Sequence, residues 1–326
     1  MKTSNHHSPK NIVARSLRRI GVSFFAVVAM FLTPSWSADL VEVLPVTNKI
    51  LMVTFDEGHI DYDVFGNEGA NKAYYSALNT TNAENKSNYS LASTDDPHYT
   101  SAKNPVNIGR KAKGEQFNGV ANTPKYLLLH HIYIELPDAL LRGKTYTLTL
   151  DNLSDNTGTF SFVYNEKSLR SPTIHVNQVG FVSNGSKYAY LSQWMGSFNS
   201  ATHVSGALSL DGFSGVQFQV IRLADNTVVY TGTIAKQAVK TTQELTSGDF
   251  ASSPNTTKAD VWECNFSAFT VPGMYKIAVD GIGCSYPFEI GADVYRSPFN
   301  SLMRAIFTQR QGVDKEIEGG QVYQRG

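Results

Sequence analysis

Apolar residues in this chain come in short runs of strand length, and at helical spacing in one place near the C-terminus. Residues 49–55 (KILMVTF) form a short apolar strand pattern. Residues 126–136 alternate, with Leu128, His130, Ile132, Ile134 and Leu136 on one face and Leu127, Leu129, His131, Tyr133 and Glu135 on the other. Residues 144–150 (KTYTLTL) and 159–164 (TFSFVY) have a cleaner period of two, and Pro137-Asp138 and Arg142-Gly143 mark turns. The stretch 66–118 is polar and weakly periodic, which fits short edge strands or a long excursion. Strands without intervening helices must bury sheet against sheet, so residues 38–170 read as an N-terminal β-sandwich module.

The chain of 326 residues has room for about two domains. Ser171-Pro172 makes a boundary, after which strand patterns recur at 173–181, 188–194, 216–223, 227–234, 261–266, 274–279 and 284–290. Asp225-Asn226 and Asp280-Gly281 are hairpin-type turns. That strand count suits an immunoglobulin-like sandwich over 171–292, with a long Thr/Ser-rich loop at 235–260. The fold class is therefore all-β, with two β-sandwich domains. Lys and Arg number 28, as do Asp and Glu, so no basic footprint argues for nucleic acid or an anionic membrane surface.

The exception to the strand pattern is 297–311 (SPFNSLMRAIFTQRQ), where Phe299, Leu302, Met303, Ile306 and Phe307 share one helical stripe. Ser297 suits the N-cap, Pro298 the first turn, Arg310 the last turn and Gly312 the stop. Burying each large side chain on the stripe would contribute roughly 1.5–3 kcal/mol, so this amphipathic helix needs a packing partner. Residues 293–326 read as the opening of a helical domain that the chain does not complete.

At the other end, Arg15, Arg18 and Arg19 precede an apolar run over 20–32. That run is short of the roughly 20 residues a membrane span takes. Cleavage after Ser37 satisfies the small-x-small rule, so 1–37 reads as a signal peptide and the mature chain as secreted or periplasmic, free of the membrane. An uncleaved anchor is the alternative. The two cysteines, Cys264 and Cys284, then lie in an oxidising compartment, either bridged or as two buried thiols, and their spacing matches no metal site.

Asp56, Glu57, Asp61 and Asp63 are oxygen ligands of the kind calcium takes, but their spacing is not that of a calcium loop, and a solvated turn is the simpler reading. His130 should be a hydrogen-bonded core histidine and His131 a surface one. Tyr188, Tyr190 and Trp194 on one strand face would suit a sandwich core, an interdomain seam or a platform for stacking sugars.

The runs TIHVNQVGF (173–181), FQVIRLADNTVVYTGTI (218–234), NFSAFTVPGMYKIAV (265–279) and PFEIGADVY (287–295) together resemble the N-terminal immunoglobulin-like domain of family 9 glycoside hydrolases, the cellulase-type enzymes. FTQRQG (307–312) is similar to the opening helix of their catalytic (α/α)6 barrel. The resemblance implies a β-1,4-glucan substrate, hydrolysis with inversion, and a catalytic barrel packed on the immunoglobulin-like domain. It implies structural work for His175, Asn177 and Gln178 at a domain junction. The base of such enzymes lies in an Asp-Ala-Gly-Asp-like motif and the acid is a later Glu, two opposed carboxyl groups as inversion requires. Neither motif is in this sequence, so no catalytic, cofactor-binding or metal residue is assigned and no cofactor is expected. The rival expectation is a self-contained carbohydrate-binding or surface-adhesion protein.

Overall fold

The computed structural model describes residues 38–63, 66–120, 125–243, 255, 258–309, 315–317 and 321–323. The segment 1–37, Arg310 and Gly312 lie outside the described residues.

The first sandwich is built from β1 (Asp39–Thr47), β2 (Ile50–Asp56), β3 (Gly58–Asp61), β4 (Lys72–Tyr75), β5 (Tyr89–Ala92), β6 (Asn107–Phe117), β7 (Tyr126–Glu135), β8 (Thr145–Leu150) and β9 (Thr159–Val163). Its large sheet has the antiparallel order β1-β2-β7-β6, its small sheet the order β5-β8-β9, and β3-β4 is a separate hairpin. Between the sheets lie Leu51, Val53, Phe55, Ile132 and Ile134 on one side and Tyr89, Leu91, Tyr146 and Leu148 on the other.

The second sandwich follows with β10 (Ile174–His175), β11 (Tyr188–Leu191), β12 (Gln217–Arg222), β13 (Val228–Thr233), β14 (Ala235–Ala238), β15 (Val261–Asn265), β16 (Gly273–Val279), β17 (Gly283–Cys284) and β18 (Phe288–Ile290). The sheet β10-β11-β15-β14 faces β13-β12-β16-β17, with β18 also paired to β16. Leu191, Trp262 and Cys264 meet Phe218, Val220, Ile277 and Phe288 in the core. A short backbone pair, β19 (Lys315–Ile317) with β20 (Gln321–Tyr323), comes after the helix.

The two sandwiches share a core, and this accounts for the unbroken apolar runs. Along β2, Leu51, Val53 and Phe55 point into the first sandwich, whereas Ile50 and Met52 join Leu44, Val46 and Tyr133 in the cluster of the second. A sheet covered on both faces has no polar side to display. Polar links lock the seam. Gln193 Nε2 donates to Tyr133 Oη at 2.8 Å, and Thr173 Oγ1 donates to the Val46 carbonyl at 2.9 Å. Arg142 reaches both Glu166 and Asp280 at 2.8 Å. The loop after β11 pairs with the edge of β6, as Ser197 N donates to the Arg110 carbonyl at 3.0 Å. A Cβ on Gly109 would stand 2.2 Å from the Phe198 backbone, so only glycine admits that approach.

Several expected boundaries move. β6 falls in the stretch read as weakly periodic, because Arg110, Lys111 and Lys113 interrupt any apolar alternation and its ladder with β7 defines it. β14 occupies the start of the expected loop 235–260 and pairs with β15. The strand expected over 173–181 keeps only two residues before a turn.

Candidate functional site at the base of the C-terminal helix

The one helix longer than a single turn among the described residues, α2, is Arg296–Thr308; the other, α1, is Thr80–Ala83. α2 begins two residues earlier than it would if Ser297 capped it. Tyr295 occupies the N-cap position with no side-chain cap, and the first helical bond runs from Phe299 N to the Tyr295 carbonyl at 2.9 Å. The start is fixed by tertiary contact instead. Tyr295 Oη donates to the Gly180 carbonyl at 3.2 Å, and Asn177 Nδ2 donates to the same carbonyl at 2.8 Å. Asn177 Oδ1 also accepts from Val179 N at 3.0 Å, closing a tight turn. Gly180 sits at φ +110°, where a Cβ would come 2.7 Å from the Glu289 carbonyl. Asn177 thus holds the turn that receives Tyr295, and both Asn177 and Gln178 are exposed. Tyr295 is the anchoring residue that the sequence pattern did not single out.

The helix is fastened at its base, yet its apolar stripe faces solvent. Phe299, Leu302, Met303, Ile306 and Phe307 are 46–60% exposed. No described helix is long and apolar enough to cross a membrane.

Beside this base runs an open groove of about 360 Å³ lined by His175, Val176, Asn177, Phe181, Tyr188 and Tyr190. The Tyr188 and Tyr190 rings stack at 6.4 Å, and His175 Nε2 donates to the Ser192 carbonyl at 2.9 Å. Trp194 does not share this face. β11 ends at Leu191, and Trp194 instead bridges to Ala207 and donates from Nε1 to the Ser205 carbonyl at 3.1 Å.

The acidic run disperses. Glu57, expected in a solvated turn, is buried because it completes the interior of the first sandwich: it accepts from Leu78 N, Leu128 N and His130 Nε2 at 3.2–3.3 Å. His130 Nδ1 accepts from Arg110 at 3.3 Å, so Nε2 carries the proton. His131 is half-buried rather than on the surface, with Nδ1 3.1 Å from Thr54 Oγ1, and burial with the Lys111 and Lys113 charges pushes its pKa down to about 4. Among the described residues, no three His, Cys, Asp or Glu side chains are grouped to hold a metal ion. Cys264 and Cys284 are unbridged and buried on facing sheets, and burial pushes both thiols up.

Two facing antiparallel sheets that seat an amphipathic helix at one edge define the second module as an immunoglobulin-like sandwich adjoining a helical element. Residues 170–284 match the family described as "Cellulase N-terminal ig-like domain". Endoglucanase D of Acetivibrio thermocellus is 29% identical over 139 residues, which make up 43% of this chain and 16% of that protein. A solved metagenome-derived glycoside hydrolase family 9 endoglucanase is 27% identical, with a TM-score of 0.32, over 46% of this chain and 23% of that one. The chain therefore matches only a minor part of the length of these relatives.

Proposed function

We propose that this chain is the non-catalytic N-terminal part of an exported polysaccharide hydrolase of the family 9 cellulase type. In this reading 1–37 is a signal peptide, 38–170 a first β-sandwich domain, 171–292 the cellulase-type immunoglobulin-like domain and 293–326 the entry to a helical catalytic domain. The chemistry, hydrolysis of β-1,4-glucosidic bonds with inversion, belongs to that catalytic domain. The immunoglobulin-like domain stabilises it by covering apolar surface.

One observation carries the proposal. α2 is pinned through Tyr295 and Asn177 to the domain that matches cellulases, while Phe299, Leu302, Met303 and Ile306 of its apolar stripe are exposed. At roughly 1.5–3 kcal/mol for each large side chain buried, a helical neighbour on that stripe would gain several kcal/mol. Reducing-sugar release from soluble carboxymethylcellulose tests the division of labour. This chain alone is expected to release none, and clear turnover by it would refute the assignment of chemistry to another domain.

A further inference from the structure

The first sandwich carries a second aromatic patch, on and beside the β3-β4 hairpin. His59 and Tyr74 pair across the hairpin and stack with centroids 5.3 Å apart. Phe117 and Tyr126 pair across β6 and β7 and stack at 4.4 Å. Tyr62 ties the two together, its Oη donating to the Phe117 carbonyl at 3.1 Å. Lys125 Nζ stands 3.7 Å over the Tyr75 ring. Tyr62, Tyr74, Tyr75, Phe117 and Tyr126 are all exposed and outside the cores. Cross-strand ring pairs steady their ladders, and the outer ring faces stay open to a ligand.

Two hollows flank the hairpin. One, of about 320 Å³, lies at the Asp61 end against Tyr62, Phe117, Glu68 and Asn71. The other, of about 240 Å³, lies at the Gly58 end against His59, Tyr74, Tyr75 and Asp56. The hairpin's strands, at about 3.3 Å per residue, set these hollows on the order of 10 Å apart. Such a span suits a chain of sugars better than a single one. Carboxylates line both hollows, Asp63 and Glu68 the first and Asp39, Asp56, Glu57 and Asp155 the second, which disfavours a polyanion and an apolar protein face alike.

We propose that this hairpin binds a neutral β-linked glycan chain. Equatorial substituents give its pyranose rings flat C–H faces, which lie on Tyr74 and Tyr126, while Asp56 and Glu68 in the two hollows take its hydroxyls. The choice of a β-1,4-glucan as first probe rests on the function proposed above; the site does not.

Titration calorimetry of the full chain with cellohexaose, xylohexaose and maltohexaose tests the inference, using Tyr74→Ala, Tyr126→Ala and, as an exposed ring outside both hollows, Tyr286→Ala. Unchanged melting temperatures establish that the variants fold. Cellohexaose is expected to bind, and to bind about fivefold or more weakly to the first two variants, with Tyr286→Ala like wild type. Xylohexaose alone binding, with the same loss, upholds the site and counts against the glucan of the proposed function. No binding of either β-linked probe, binding of maltohexaose only, or affinity unaltered by both substitutions overturns the inference and leaves the reducing-sugar test of the proposed function standing.

Discussion

Replacing Phe198 by alanine removes a fully buried ring where the loop after β11 crosses the edge strand β6. The ring belongs to the core that Leu44, Met52 and Tyr133 of the first sandwich share with the second. Because the Phe198 backbone already touches Gly109 at the limit of approach, and Ser197 is bonded to Arg110, the loop cannot sink to fill the void. Truncation of a buried Phe costs about 3–5 kcal/mol, towards the upper end where a site cannot collapse. At roughly 2–4 °C per kcal/mol for folds of this size, the midpoint should fall by about 6–20 °C. Scanning calorimetry should show one endotherm that moves as a whole. Two endotherms of which only one responds, or a shift under about 2 °C, would refute the shared core.

Acid should weaken the fold through His131. The folded state holds it neutral, with its pKa down at about 4 against 6.5 for a free imidazole, so the unfolded chain binds the proton first. The stability it contributes is complete above pH 6.5 and is lost as the pH falls towards 4. His131→Gln should flatten the melting temperature against pH in that window, leaving the contribution of His203, whose pKa burial also lowers. An unaltered slope counts against this. On α2, Leu302→Gln with Ile306→Gln removes side chains that are already exposed, so the expected change in stability is within about 0.5 kcal/mol, with reduced binding of a hydrophobic dye. A loss of several degrees in melting temperature would mean that the chain covers the stripe itself.

Sheet-on-sheet architecture was legible wherever one face is buried and the other wet, as along residues 144–150, because alternation records that difference directly. It was illegible where partners do the specifying. β6 and β14 take their form from ladders with β7 and β15, not from apolar patterns of their own. The start of α2 was misplaced because local capping chemistry favours Ser297, whereas the contact of Tyr295 with the Gly180 carbonyl, distant in sequence, decides it. Glu57 looked solvated for a similar reason: the backbone amides and histidine that bury it come from separate segments. The apolar stripe of α2, by contrast, follows from helical spacing alone.

The most direct test of whether α2 opens a helical catalytic domain is the DNA immediately 3′ of the codon for Gly326. An open frame encoding amphipathic helices and an Asp-Ala-Gly-Asp-like motif is the expected result. A stop codon there, or a continuation without helical pattern or paired carboxylates, would contradict it.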